Sequence, residues 1–170
     1  RCEPPIIAWS NREFYAEHLR ILTPIRARRF NPVAEVRLVP GADEDPNLKE
    51  NRREAEAVIA EVRRLVADPE TEGLSIGVLS PFEAQATLLH KLLHEAFAAQ
   101  PERLRVHRLV ADTADGFQGD ERDIIPYSFR YGPSTSPGVI RAIEIERERL
   151  NVAFSRARRK VICFISRPPE

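Results

Sequence analysis

Apolar and polar positions change in period along the chain, and the changes predict strands and helices in turn. Residues 34–39 alternate as in a short strand, and the turn-forming residues 41–47 end it. Residues 48–67 carry apolar side chains at spacings of three and four, which predicts an amphipathic helix. We expect this helix to end before Pro69, because a residue that precedes proline is biased away from the helical region.

The next segments repeat this strand-and-helix order. The apolar run 74–79 predicts a buried strand, and the apolar spacing after Ser80-Pro81 predicts a second helix. Residues 104–110 and 161–165 predict two further strands. With one more strand at residues 123–129, the alternation indicates an α/β fold with a doubly wound parallel sheet.

The predicted strand at residues 123–129 contains Pro126. A proline has no N–H group to donate to a neighbouring strand. We therefore expect the strand to be bulged at that point or to lie at an edge of the sheet.

Length and composition suit one soluble globular domain. The chain has 170 residues, of which 31% are charged and 42% hydrophobic. No apolar run approaches the roughly 20 residues that span a membrane, and no signal peptide is visible. We expect no membrane partner and a cytoplasmic, intracellular location.

The cysteines and histidines predict no metal centre and no disulfide framework. Cys2 and Cys163 are the two cysteines, and we expect Cys163, which lies in an apolar run, to be buried. His90 and His94 are four residues apart on a predicted helix, a spacing that can bind metal. No third ligand accompanies them, so we interpret them as surface residues.

Charge is uneven along a chain whose net charge is zero. Residues 141–160 carry seven bases and three acids, whereas residues 40–72 carry five bases and ten acids. The basic segment permits a local anion-binding face. The alternative is a solvated helix with a few additional arginines.

Two segments are candidates for binding an anion, one before the basic region and one within it. Residues 113–121, TADGFQGDE, form a polar loop punctuated by glycines between two apolar runs. Residues 149–159, RLNVAFSRARR, predict a basic helix that leads into the last strand. Glycines let backbone amides approach an anion closely, and an arginine on a rigid helix can supply charge to that anion.

A helix over residues 149–159 would bury one apolar face and leave its arginines outside. At about 100° per residue, Arg156 projects to one flank of that face and Arg158 to the other. Packing would then fix Arg156 while its guanidinium faces outward. The alternative is that Arg156 pairs with Glu146 or Glu148, as surface arginines commonly do.

In this order, the two segments resemble motifs V and VI of superfamily 1 helicases, in the branch typified by the nonsense-mediated-decay helicase and senataxin. Residues 80–85, SPFEAQ, follow a predicted strand and are similar to the Thr-Pro-Tyr-x-x-Gln of that family. Residues 1–15 resemble the family segment in which an arginine precedes a proline-containing turn. The resemblance covers nearly the whole chain and implies the second, C-terminal RecA-like domain of a two-domain motor.

The resemblance also implies catalytic and nucleotide-binding residues. Arg156 matches the motif VI arginine that acts on the transferring phosphoryl group, and Arg1 matches an arginine that reaches the terminal phosphate. Gln118 and Gly119 match motif V residues that approach this phosphate, and Glu121 matches the carboxylate near the sugar. The alternative for Glu121 is an ordinary acid at the start of a strand.

Ser80, Gln85 and Thr113 are the candidate nucleic-acid contacts. Hydroxyls and amides of this kind can bind the backbone of a single strand with little regard to sequence. Two alternatives stay open. The hydroxyl of Ser80 could cap the following helix, and Thr113 could be structural.

The chain contains no GxxxxGK[ST] phosphate loop and no apolar strand that ends in Asp-Glu. We therefore expect it to bind no cofactor and hydrolyse no ATP alone. ATP and Mg²⁺ would be held in a full-length protein together with a missing N-terminal RecA-like domain, and residues 1–170 would be one domain excised from that protein. Single-stranded DNA or RNA is the other expected partner. The alternative is a helicase-like module that binds nucleic acid or protein without ATPase activity.

Overall fold

The computed structural model describes residues 3–14, 30–117, 120–139, 141, 151 and 153–167. Arg1, Gln118 and Gly119 lie outside the described residues. The helices are α1 (Pro4–Phe14), α2 (Arg52–Ala67), α3 (Glu83–Ala96) and α4 (Pro101–Val106), with a short 3-10 helix at Pro69–Thr71. The strands are β1 (Ala34–Leu38), β2 (Gly77–Ser80), β3 (Val110–Thr113), β4 (Arg122–Ser128) and β5 (Ala157–Ile165).

The five strands form one sheet in the order β1-β5-β4-β2-β3, and all neighbouring strands are parallel. α2 and α3 pack on one face, where Val58, Leu89 and Ile162 are fully buried. α1 and the segment 153–157 pack on the other face. The prediction of a RecA-like α/β fold is confirmed.

α2 shows how the sequence pattern becomes structure. Its N-cap Asn51 accepts a hydrogen bond from the N–H of Glu54 at 3.0 Å. Its apolar stripe, with Ala55 and Val62 fully buried, faces the sheet. The helix ends at Ala67, before Pro69, as predicted.

The prediction of a strand over residues 104–110 is wrong for most of that run. α4 extends to Val106, and β3 begins only at Val110. Pro101 occupies the first turn of α4, where its missing N–H costs nothing. Val106 is 44% exposed, so this apolar run does not form a continuous buried strand.

The expectation that the strand is bulged at Pro126 or lies at an edge of the sheet is also wrong. β4 lies between β5 and β2, and its irregularity falls between Arg122 and Ile124 rather than at Pro126. The N–H of Ile124 donates towards β2, to the carbonyl of Ser75, and alternation along the strand turns the nitrogen of Pro126 to the same side.

The β2–β4 ladder is interrupted where Pro126 would need a donor. The two strands pair at Ile76–Ile124 and again at Leu79–Tyr127, with no described pair between them. Against β5, by contrast, Pro126 pairs in register with Ile162. The proline is tolerated because its missing N–H faces the gap in the β2–β4 ladder.

The connection from β3 to β4 crosses over β2 on the face that α1 covers. Phe117 is buried there, and Arg122 holds its guanidinium 5.0 Å from the centroid of the Phe117 ring. A Cβ on Gly77 would lie 2.8 Å from the Phe117 ring and 2.9 Å from the Arg122 side chain. Glycine in β2 therefore allows the crossing segment to pack directly on the sheet.

Among the helices of the described residues, none is long and apolar enough to cross a membrane.

Candidate functional site

The candidate site residues fall at opposite ends of the parallel strands. Ser80 and Thr113 are the last residues of β2 and β3, so they lie at the carboxyl end of the sheet. Glu121 and Arg156 directly precede β4 and β5, so they lie at the amino end. The residues that resemble nucleic-acid contacts are therefore separated from those that resemble nucleotide contacts.

Arg156 lies in a turn rather than inside a helix that runs to residue 159, which corrects the prediction. The helical segment ends at Ser155, and β5 begins at Ala157. The N–H of Arg156 donates to the carbonyl of Ala153 at 3.2 Å, and its own carbonyl accepts from the N–H of Arg122 at 3.0 Å. These bonds fix the backbone at the junction of helix, turn and strand.

The side chain of Arg156 is half-buried. Its Nε is buried, and among the described residues it has no hydrogen-bond partner. A buried donor without a partner is unfavourable, by about 1–3 kcal/mol. Glu146 and Glu148, the alternative partners suggested by the sequence, lie outside the described residues.

Arg158 pairs with Glu121, contrary to the expectation that it projects to a remote flank of a helix. Its Nε donates to Oε2 of Glu121 at 2.8 Å, and the two side chains are 41% and 36% exposed. The carbonyl of Arg158 accepts from the N–H of Glu3 at 2.8 Å, which ties the start of α1 to β5. A pair this exposed adds little stability, so its main effect is on the orientation of the carboxylate.

Other arginines at the amino end of the sheet are also paired with acids. Arg159 bonds to Asp123 at 3.0 Å, and Arg122 pairs with Asp120 at 2.6 Å. Burial opposes ionisation of Asp123, but hydrogen bonds from Ser75 and Arg159 outweigh it and lower its pKa. Unlike these paired arginines, Arg156 has an Nε that makes no hydrogen bond among the described residues.

The described first part of the motif V loop, residues 113–117, is a tight turn held by Thr113. The hydroxyl of Thr113 accepts from the N–H of Gly116 at 3.0 Å, and its carbonyl accepts from the N–H of Phe117 at 3.1 Å. A Cβ on Gly116 would lie 2.7 Å from the carboxyl carbon of Asp112. In this conformation the space beside Gly116, which an anion would need, is filled by the carboxylate of Asp112.

Ser80 and Gln85 are fully buried at the carboxyl end of the sheet. The hydroxyl of Ser80 accepts from the N–H of Phe82 at 3.3 Å, and Phe82 rather than Ser80 is the N-cap residue of α3. The amide of Gln85 bonds to the backbone of Asn51 and to the hydroxyl of Ser128. Neither side chain is accessible to a nucleic-acid strand in this conformation. Their role in nucleic-acid binding stays a prediction.

A buried carboxylate organises the same end of the sheet and was missed by the sequence reasoning. Glu54 accepts from the hydroxyls of Ser128 at 2.6 Å and Ser166 at 2.5 Å, and from the N–H of Arg130 at 2.7 Å. Burial raises the pKa of Glu54, although the hydrogen bonds oppose the shift. The available signal was an acid four residues before Val58 on the apolar stripe of the predicted helix.

Arg130 is a second buried charge that the sequence analysis did not single out. It is 4% exposed, adopts a left-handed φ of 69°, and stacks on the Phe82 ring with 3.7 Å between its guanidinium carbon and the ring centroid. It also pairs with Glu44 at 3.2 Å and donates to the carbonyl of Lys49 at 3.0 Å. A cavity of about 430 Å³ opens beside this stack.

His90 and His94 lie on α3, and Cys163 lies within β5. His90 and His94 are exposed, with ring centroids 4.5 Å apart. In the described part of the chain, no group of three or more His, Cys, Asp or Glu residues could hold a metal ion. Cys163 is buried as predicted, and burial raises its pKa to about 12.

A family model described as an AAA domain (AAA_12) matches residues 1–167. The chain belongs to this family. Over 89 residues it is also 38% identical to the DNA polymerase alpha-associated DNA helicase A of Saccharomyces cerevisiae. These similarities confirm that this AAA-family chain is a superfamily 1 helicase domain, as motifs V and VI indicate. The aligned segment covers 52% of this chain and 11% of the yeast protein, so the domain corresponds to a small part of that relative.

Proposed function

We propose that this helicase domain is the second, C-terminal motor domain of an ATP-dependent DNA or RNA helicase or translocase. It supplies Arg156 to an ATP site that it shares with a first RecA-like domain. The observation that carries the proposal is the buried Nε of Arg156, which has no hydrogen-bond partner among the described residues. The side chain as a whole is only half-buried, so a phosphoryl oxygen from across a cleft would bind the accessible part of its guanidinium.

Arg156 suits a charge-stabilising role because its backbone is anchored before any ligand arrives. The bonds to Ala153 and Arg122 hold the residue, and Ala157 beside it is fully buried. Preorganised charge in a cleft costs little reorganisation during the reaction. An arginine that acts on a transferring phosphoryl group contributes on the order of 10³–10⁵ in rate.

Glu121 and Arg1 extend the proposed nucleotide site. The carboxylate of Glu121 lies at the same end of the sheet as Arg156 and would accept hydrogen bonds from sugar hydroxyls. Arg1, Gln118 and Gly119 join the proposal on their motif positions alone.

ATP supplies the transferable phosphoryl group when it is bound, and Mg²⁺ accompanies it. The sequence has no phosphate loop, so the first domain would hold the phosphates and the metal. The chemical contribution of this chain is cationic charge from Arg156 and carboxylate contact from Glu121. Single-stranded nucleic acid would bind at the carboxyl end of the sheet, near Ser80, Gln85 and Thr113.

The second candidate function is a module that binds nucleic acid or protein without ATPase activity. The observation that favours it is the close approach of Asp112 to Gly116, which places a carboxylate where a phosphate-binding loop needs open amides. Arg156 favours the motor, because a pure binding module does not require a buried, unbonded guanidinium nitrogen.

ATP hydrolysis by the 170-residue chain alone and by a full-length protein that contains it separates these candidates. The motor proposal predicts no turnover by the chain alone and strand-stimulated turnover by the full-length protein. Steady hydrolysis by the purified chain, with contaminating ATPases excluded, would contradict the proposal. A full-length protein without hydrolysis would favour the binding module.

A further inference from the structure

The cavity beside Phe82 and Arg130 lies where parallel sheets most often bind ligands. α3 follows β2 on one face of the sheet, whereas the segment after β4 leads to residues 153–157 on the other face. β2 and β4 are neighbours in the sheet, so a crevice opens between their carboxyl ends. Ligands of open α/β sheets bind outside the carboxyl ends of strands at such points.

Phe82 is a rigid aromatic surface in this crevice. The buried guanidinium of Arg130 stacks on its ring and is itself held by Glu44 and by the carbonyl of Lys49. Phe82 is half-buried and lines the cavity. A fixed, partly exposed ring is suited to stack with a nucleobase, because every base presents a π-face.

The charged side chains that line the cavity are Glu44, Lys49 and Arg130. Glu44 is compensated by Arg130 and accepts a hydrogen bond from the hydroxyl of Thr135 at 2.7 Å. Lys49 is exposed and makes no ion pair among the described residues, and Ser136 also lines the cavity. Among the lining residues, Lys49 is therefore the cation left for a phosphate, although its segment also carries Asp43, Asp45 and Glu50.

Backbone strain marks the same place. Lys49 and Arg130 both adopt left-handed conformations, with φ of 55° and 69°. Such conformations in residues other than glycine persist where the surroundings hold them, and they cluster at ligand sites. Both lie beside this cavity.

We propose that this cavity binds one nucleotide of a single strand, with its base stacked on Phe82 and its phosphate at Lys49. The inference rests on the proposed function and deepens it. Ser80 and Gln85 are buried, so we assign direct contact with the nucleic-acid strand to the half-buried Phe82 and the exposed Lys49. A cavity of about 430 Å³ has room for one nucleotide, and recognition by stacking and a phosphate contact is independent of sequence.

Lys49→Ala tests the phosphate contact through the salt dependence of binding. The probe is a fluorescein-labelled oligodeoxythymidylate of about 12 nucleotides, titrated with the 170-residue chain at several salt concentrations. Loss of one phosphate contact lowers the slope of log Kd against log salt by about 0.7. Lys91→Ala, which removes the same charge from an exposed position on α3 away from the cavity, leaves the slope unchanged.

Phe82→Leu tests the stack while keeping an apolar side chain over Arg130. It weakens binding of the thymidylate strand by roughly five- to hundredfold, the range for loss of one base–aromatic stack. It has little effect on an abasic strand of the same length, and Phe82→Tyr retains the affinity. Circular dichroism and thermal unfolding of each variant confirm that the fold is kept.

The outcomes separate this inference from the proposed function. Strand binding that is unchanged in both Lys49→Ala and Phe82→Leu would overturn the cavity assignment and leave the motor proposal standing. Absence of single-strand binding by the unmodified chain would overturn the assignment together with the nucleic-acid part of the proposed function. Equal weakening on thymidylate and abasic strands in Phe82→Leu would also overturn the stacking assignment.

Discussion

The N–H of Arg122 donates a hydrogen bond to the carbonyl of Arg156 at 3.0 Å. This bond joins the first residue of β4 to the residue before β5, and so it connects the end of motif V to motif VI. We expect a displacement of either segment to disturb the other through this bond. The proposed nucleotide site therefore depends on the packing of the segment that crosses β2.

Gly77→Ala tests that dependence. The new Cβ would lie under 3.0 Å from both Phe117 and Arg122, so the crossing segment must shift. We expect a loss of about 1–3 kcal/mol in the free energy of unfolding, as for other overpacked sites, and slower hydrolysis in the full-length protein. Gly138→Ala is the matched control, because nothing lies within 4 Å of its Cβ position. Equal unfolding midpoints for the two variants in urea would contradict the packing argument.

Glu54→Ala tests the buried network at the carboxyl end of the sheet. The change leaves the hydroxyls of Ser128 and Ser166 and the N–H of Arg130 without their acceptor. We expect a loss of about 3 kcal/mol or more in the free energy of unfolding, since each orphaned buried group costs about 1–3 kcal/mol. Glu56→Ala, in an exposed pair with Arg52, should stay within about ±0.5 kcal/mol. Similar urea midpoints for both variants would contradict the network.

The raised pKa of Glu54 predicts a pH dependence of stability. A carboxyl group whose pKa is higher in the folded state stabilises that state fully below its unfolded pKa, and the contribution is lost as pH rises through the folded pKa. Glu54→Gln resembles the protonated form at every pH. The free energy of unfolding of the unmodified chain relative to Glu54→Gln should therefore fall as pH rises above the ordinary value of 4.5. A difference that is constant or rises with pH would contradict the shift.

Arg158→Ala tests whether the partner of Glu121 orients its carboxylate. The bond of 2.8 Å holds Oε2, and its loss should leave Glu121 free to rotate. In the full-length protein we expect a higher KM for ATP, little change in kcat, and at most about 1 kcal/mol in stability, as for exposed pairs. Arg158→Lys should restore part of the affinity. A large fall in kcat at unchanged KM would instead place Arg158 in the chemical step.

The elements with a long, regular apolar period were predictable from the sequence. α2 and α3 follow spacings of three and four, and their apolar faces are buried as expected. Residues 104–110 were misassigned because a short apolar run does not distinguish a helix from a strand. Pro126 suggested a bulge or an edge strand. The sequence does not reveal that the proline nitrogen faces an interruption in the pairing of β2 with β4.

The sequence indicated candidate site residues, whose roles stay predictions, but it did not reveal their contacts. Motifs V and VI indicated Arg156 and Glu121 by their order and chemistry. The pair between Arg158 and Glu121 depends on the register that sets Arg122 opposite Ala157, and no local pattern encodes that register. Burial of Gln85 depends likewise on Asn51, a residue 34 positions away.

Single-turnover hydrolysis of ATP by the full-length protein with Arg156→Ala tests the central claim most directly. The substitution should reduce the rate of the chemical step by orders of magnitude, because the arginine stabilises charge that develops in the transition state. ATP affinity should change much less, and Arg156→Lys should rescue poorly because lysine lacks the planar fork. Removal of a buried, unbonded donor should not lower the midpoint of thermal unfolding. Near-normal hydrolysis by a folded Arg156→Ala protein would contradict the account.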